Sequence, residues 1–148
     1  AGGAVYARSR AEGCGAEEKR RIMRGPYARS AGYYDDYYEK AQRARGLSRH
    51  DFERAFEDVD ALVTPTTPTP PFRLGDKTDD PLEMYLNDIY TVTANLAGLP
   101  GLTVPLGEHP GTPGLPVGLQ LLGPHFDEAL LLRIGDAIMK SDAYGRET

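Results

Sequence analysis

The chain has 148 residues, the size of one domain, and its 17 Lys and Arg against 22 Asp and Glu leave a net charge of −5; that balance excludes a nucleic-acid module built on a broadly basic face. Hydrophobic residues make up 40 %, enough for a core, which excludes wholesale disorder. No apolar run reaches the roughly 20 residues of a membrane helix, residues 1–10 lack a signal-peptide core, and the lone Cys14 excludes an internal disulfide or a multi-Cys zinc site, so a reducing, cytoplasmic setting is expected.

The first residue is Ala rather than Met, and residues 1–15 read as loop or tail, with the whole taken as part of a longer chain. Residues 16–23 predict a short helix with Glu17 and Glu18 in its first turn, where the helix dipole favours acids. Gly25 is expected to stop it and Pro26 to open a second helix, from about Tyr27 to Arg45, ending at Gly46. Tyr33, Tyr34, Tyr37 and Tyr38 form a stripe along that helix. Ser48 is read as the cap of a third helix whose apolar face is Phe52, Ala55, Phe56 and Val59.

Residues 61–64 (ALVT) predict a short buried strand. The following TPTTPTPPF run excludes helix and central strand. Asp80-Pro81 starts a helix with Leu82, Tyr85, Leu86 and Ile89 inward, interrupted near residues 91–93. Residues 102–104 and 117–122 are strands separated by a Gly/Pro-rich loop, and Asp127 caps a last helix over 128–139, with Leu130, Leu131, Ile134 and Ile138 inward. Eleven of the twelve prolines lie between Pro65 and Pro124. The class is α/β, with strands too few for an independent sheet.

The search for chemistry begins with nucleophiles. Ser9, Ser30, Ser48 and Ser141 are the only serines, and none sits in a G-x-S-x-G elbow. Cys14 lies between two glycines with no base beside it, and His50, His109 and His125 lack metal-ligand spacing. The densest basic cluster is Lys19, Arg20, Arg21 and Arg24, whose plain reading is a solvated helix face. Helical spacing turns Arg21 about 100° from Arg20, so it can face inward and offer its fork to a carboxylate. Asp88, between Leu86 and Ile89 in the apolar half of its helix, needs a partner there. The two can pair with each other, or bind the carboxylate and ammonium of an α-amino acid. The spacings Pro65–Pro68 and Pro68–Pro71 fit either a polyproline ligand or, preferably, a stiff loop leaving a strand.

Six segments in order carry a resemblance: residues 19–23 (KRRIM), 30–35 (SAGYYD), 63–66 (VTPT), 79–82 (DDPL), 95–100 (NLAGLP) and 114–120 (GLPVGLQ). From about Gly13 to Ile138 the chain resembles the C-terminal part of the amidase-signature family, in particular its branch serving glutamyl-tRNA(Gln)/aspartyl-tRNA(Asn) amidotransferases. The resemblance implies the C-terminal portion of an α/β/α fold, a mixed sheet flanked by helices, incomplete on its own and spanning residues 16–140, with 141–148 a tail. It implies a polypeptide that hydrolyses glutamine through a Ser–cis-Ser–Lys triad. A partner B subunit would use ATP and Mg to activate Glu-tRNA(Gln), and a small C subunit would complete a heterotrimer. Arg21 and Asp88 match the family positions that hold the glutamine α-carboxylate and α-amino group. No catalytic residue and no cofactor is assigned to this stretch, because the family's Lys and serines lie in an upstream signature. By itself it is expected to be inactive. Arg24, Pro26 and Arg29 depart from the family pattern. The alternatives are the corresponding part of a stand-alone amidase, and a non-catalytic module built around the Pro-rich loop.

Overall fold

A computed structural model describes residues 2–30, 34–77 and 81–141. The chain divides into two compact units, residues 1–44 and 45–148.

The first unit is helical. Helix α1 covers Gly2–Gly13, where a loop or tail was expected. Ala4, Ala7, Arg8, Arg10, Ala11 and Glu12 are strong helix formers; an Arg8–Glu12 pair at 3.8 Å and the Arg10 guanidinium over the Tyr6 ring at 5.9 Å add i, i+4 contacts. Cys14 and Gly15 break the chain before helix α2, Ala16–Ala28. α2 runs through Gly25 and Pro26 instead of stopping there. Pro26 sits in its last turn, so its missing N–H removes only the donor that would meet the Ile22 carbonyl. Ser30 closes the end, its hydroxyl donating to the Tyr27 carbonyl at 2.7 Å. Tyr34–Glu39 is a π-helical stretch rather than part of one long α-helix. Tyr37 is exposed and Tyr38 half-buried, with the Arg29 guanidinium 5.9 Å from the Tyr38 ring, while Tyr33 lies outside the described residues.

Helix α3, Lys40–Ala55, is continuous across Gly46 and Ser48, where a break and a new cap were expected. Glu39–Arg43 at 2.6 Å and Arg49–Glu53 at 2.8 Å are i, i+4 pairs on either side of Gly46, offsetting part of its cost of about 1 kcal/mol.

The second unit is organised by a three-stranded antiparallel sheet, in the order β1-β3-β2: β1 Leu62–Pro65, β2 Gly101–His109 and β3 Thr112–Leu122. The 105–116 segment, expected as a loop, extends both strands into a long hairpin that turns at Pro110 and Gly111. The register sets Thr64, Gln120 and Thr103 side by side, with Pro65, Leu119 and Val104 in the next row facing the other way.

Between β1 and β2 lie two six-residue helices, α4 Pro81–Leu86 and α5 Val92–Ala97. Gly98, at φ 77°, closes α5, its N–H donating to the Ala94 carbonyl at 2.9 Å. Ala94, Ala97 and Leu99 are buried. Leu82, Leu86 and Ile89, expected inward, are exposed, because α4 ends at Leu86 and Ile89 falls in the following turn.

Helix α6, Glu128–Lys140, packs on the Val104 side of the sheet, and Asp127 caps it as expected, accepting from the Leu130 N–H at 3.3 Å. Leu131 is buried there with Val104 and Leu121.

Candidate functional site

Arg21 stands on α2, expected to face inward. Its side chain is 61 % exposed and its Nε donates to Glu17 at 3.0 Å, while Arg20 reaches the other oxygen of the same carboxylate at 2.8 Å. No described residue of α2 is buried, so the helix offers no interior for a guanidinium to enter. One turn on, Arg24, Tyr27, Ala28 and Tyr37 line an open, largely apolar cleft of about 420 Å³.

Asp88 is exposed and lies outside any helix, in the turn over 87–91, rather than in the apolar half of one. Among the described residues its carboxylate has no hydrogen-bond or ion-pair partner. Its backbone is held closely. The Asp88 N–H donates to the Tyr85 carbonyl at 3.1 Å, and its own carbonyl accepts from the Thr91 and Val92 N–H groups at 3.0 and 2.8 Å and from the Thr91 hydroxyl at 3.2 Å. Arg21 and Asp88 belong to different units of the chain.

Beside Asp88 lies a polar sheet face that the strand patterns do not disclose. Gln120, near the C-terminal end of the central strand β3, is 5 % exposed. Its amide donates to the Thr64 hydroxyl and to the Tyr90 carbonyl, both at 2.9 Å. Next to it the hydroxyls of Thr66 and Thr103 stand 3.4 Å apart, and the Thr66 N–H donates to the Gly118 carbonyl at 3.1 Å. A Cβ on Gly118 would come within 2.7 Å of the Thr66 hydroxyl, so glycine lets the Pro-rich loop lie against the sheet. That loop leaves the strand as the plain reading of its prolines expects. Asn87 ties down the other side of the turn, accepting from Lys77 Nζ at 2.9 Å.

The remaining candidates assemble no chemistry. Cys14 is half-buried in the α1–α2 break, His50 lies 3.9 Å from Glu53, and His109 accepts the Gly111 N–H inside the hairpin turn. Among the described residues no group of three His, Cys, Asp or Glu is placed to hold a metal ion, and no helix is long and apolar enough to cross a membrane.

The family model described as Amidase matches residues 2–132. The chain belongs to the amidase family. Amidase relatives include the A subunit of the glutamyl-tRNA(Gln) amidotransferase of Salinibacter ruber, 85 % identical over 137 residues, covering 93 % of this chain and 27 % of that protein. The A subunit of the Acidobacterium capsulatum enzyme is 62 % identical, covering 91 % of this chain and 28 % of that one. Among solved amidase structures, the same A subunit from Thermotoga maritima superposes with a TM-score of 0.68 at 39 % identity, over 93 % of this chain and 30 % of that one. The Kluyveromyces lactis allophanate hydrolase gives 0.63 at 26 % identity, over 83 % and 19 %. The chain thus spans under a third of the length of these relatives, and the three-stranded unit is part of an α/β amidase fold.

Proposed function

We propose that this chain serves in the glutamine-hydrolysing subunit of a tRNA-dependent amidotransferase, supplying part of the glutamine site. The similarity of 85 % over 93 % of the chain to the A subunit of a glutamyl-tRNA(Gln) amidotransferase carries this reading. In it, Asp88 receives the α-ammonium of glutamine: an exposed carboxylate with no partner among the described residues, on a backbone held by four hydrogen bonds, is pre-arranged for a cation. Arg21 offers its guanidinium to the α-carboxylate, exchanging part of its pairing with Glu17 for the ligand. Each contact is made to a charged group of the amino acid, which a plain amide does not present.

In this reading the nucleophile, its base and the oxyanion donors come from the remaining length of the polypeptide, which also covers the exposed Leu86 and Ile89. The ammonia released passes to a partner B subunit, where ATP and Mg activate Glu-tRNA(Gln), and a small C subunit completes the complex.

The test is Asp88→Asn in the full-length protein within its complex. Losing one charged hydrogen-bond partner costs about 1–3 kcal/mol, so the KM for glutamine is expected to rise about five- to 150-fold, with free ammonia still serving as nitrogen donor. An unchanged glutamine KM overturns the assignment.

A further inference from the structure

The geometry points to Gln120 as the residue that positions Asp88, an inference that rests on the ammonium-site reading of Asp88. Gln120 sits in the central strand, buried, with a polar head that an apolar residue of the same length would not need. A peptide carbonyl only accepts, so the amide must turn its NH₂ towards Tyr90. Its two hydrogens are then both engaged, one by the Tyr90 carbonyl and one by the Thr64 hydroxyl, each at 2.9 Å. Thr64 is the β1 neighbour of Gln120 in register, so the first contact sets the amide plane and the second carries that plane out to the turn.

Among the described residues, few hydrogen bonds tie the turn to the sheet. Its own bonds are local, from Asp88 to Tyr85, Thr91 and Val92, and fix the shape of the turn but not its height above the strands. Lys77 and Asn87 tie it to the preceding loop. Among the described residues, the Gln120–Tyr90 bond is the hydrogen bond that joins the turn to the sheet, and it lands two residues from Asp88. Gln120 therefore sets where the carboxylate stands without touching the ligand.

Gln120→Met tests this, keeping the side-chain length and removing both amide hydrogens. It is made in the full-length protein within its complex and assayed with glutamine, alone and combined with Asp88→Asn. The expected result is a rise in glutamine KM of about five- to tenfold for Gln120→Met, kcat within about twofold, and no further rise when it is added to Asp88→Asn, since the two act through one carboxylate. A general loss of structure instead lowers kcat and multiplies with Asp88→Asn. If Asp88→Asn by itself leaves KM unchanged, the ammonium-site reading fails and the inference with it. If Asp88→Asn raises KM while Gln120→Met leaves it unchanged, or the effects multiply, the positioning role is overturned and the ammonium site stands. Should Gln120→Met not fold, Thr64→Val replaces it: a rise in KM of about two- to threefold that vanishes in the Asp88→Asn background supports the role, and no rise or a multiplicative one overturns it.

Discussion

Gly135 of α6 and Leu102 of β2 approach so closely that a Cβ on the glycine would lie 2.7 Å from Leu102 Cδ2 and 3.2 Å from Val104 Cγ1. The helix is seated on the sheet through this bare backbone. Gly135→Ala gains about 1 kcal/mol of helix propensity but must push Leu102 and Val104 apart, at about 1–3 kcal/mol. A net loss of stability is expected in denaturant unfolding, and Leu102→Ala in the same chain is expected to recover part of the Gly135→Ala loss. A more stable Gly135→Ala protein would show that α6 does not sit here.

Among the described residues, Leu121 is the most enclosed large side chain, with 0 % of its surface exposed, in the central strand. Leu121→Ala removes buried surface and leaves a cavity that the two flanking strands hold open, so a loss of about 2–5 kcal/mol is expected by chemical denaturation. Asp127→Ala, which deletes the cap on the Leu130 N–H, is expected to cost about 1 kcal/mol by the same measurement.

Arg21→Lys separates binding from folding. The Arg21–Glu17 pair is exposed and is worth at most about 1 kcal/mol to the fold. A lysine keeps the charge but loses the planar fork that a carboxylate accepts twice. The expected outcome in the assembled enzyme is an unchanged melting temperature with a raised glutamine KM. A wild-type KM would remove Arg21 from the glutamine site.

Glu53 gives the pH prediction. Its hydrogen bond with Arg49 at 2.8 Å holds its carboxyl below the ordinary value of 4.5, with the Arg49, His50 and His125 charges acting in the same direction against a partial desolvation. A lowered folded-state pKa means that the unfolded chain binds the proton first as pH falls. The stabilisation is therefore present above about pH 4.5 and is lost as pH drops through the depressed value. Arg49→Gln is expected to bring the Glu53 titration back up towards its ordinary value, read from the carboxyl ¹³C shift. No movement would mean that the pair does not persist in solution.

Local chemistry made much of the second unit legible. β1 stops at Pro65, which has no N–H to donate to a neighbouring strand and is followed by further prolines, Pro81 opens a helix, and Asp127 caps one; each is decided within a few residues. The helix breaks read at Gly25 and Gly46 are absent because single glycines cost only about 1 kcal/mol, and the neighbouring i, i+4 ion pairs offset part of that at Gly46. The hairpin over 101–122 looked like a loop because its prolines and glycines obscure the alternation; bulges at Pro105/Glu108 and Glu108/His109 let the ladder continue past them.

The sequence by itself determined the family, since six ordered motifs and the residue types at Arg21 and Asp88 are properties of the chain alone. It could not determine where those two side chains lie. Periodicity put Asp88 in an apolar helix face, and only the early end of α4 at Leu86 moved it into an exposed turn. Nor does any spacing connect Gln120 with Thr64, 56 residues away, or with Tyr90, 30 residues away. That polar node exists only because strand register sets Gln120 beside Thr64 and because a buried amide must satisfy both of its donors wherever the fold brings an acceptor to it.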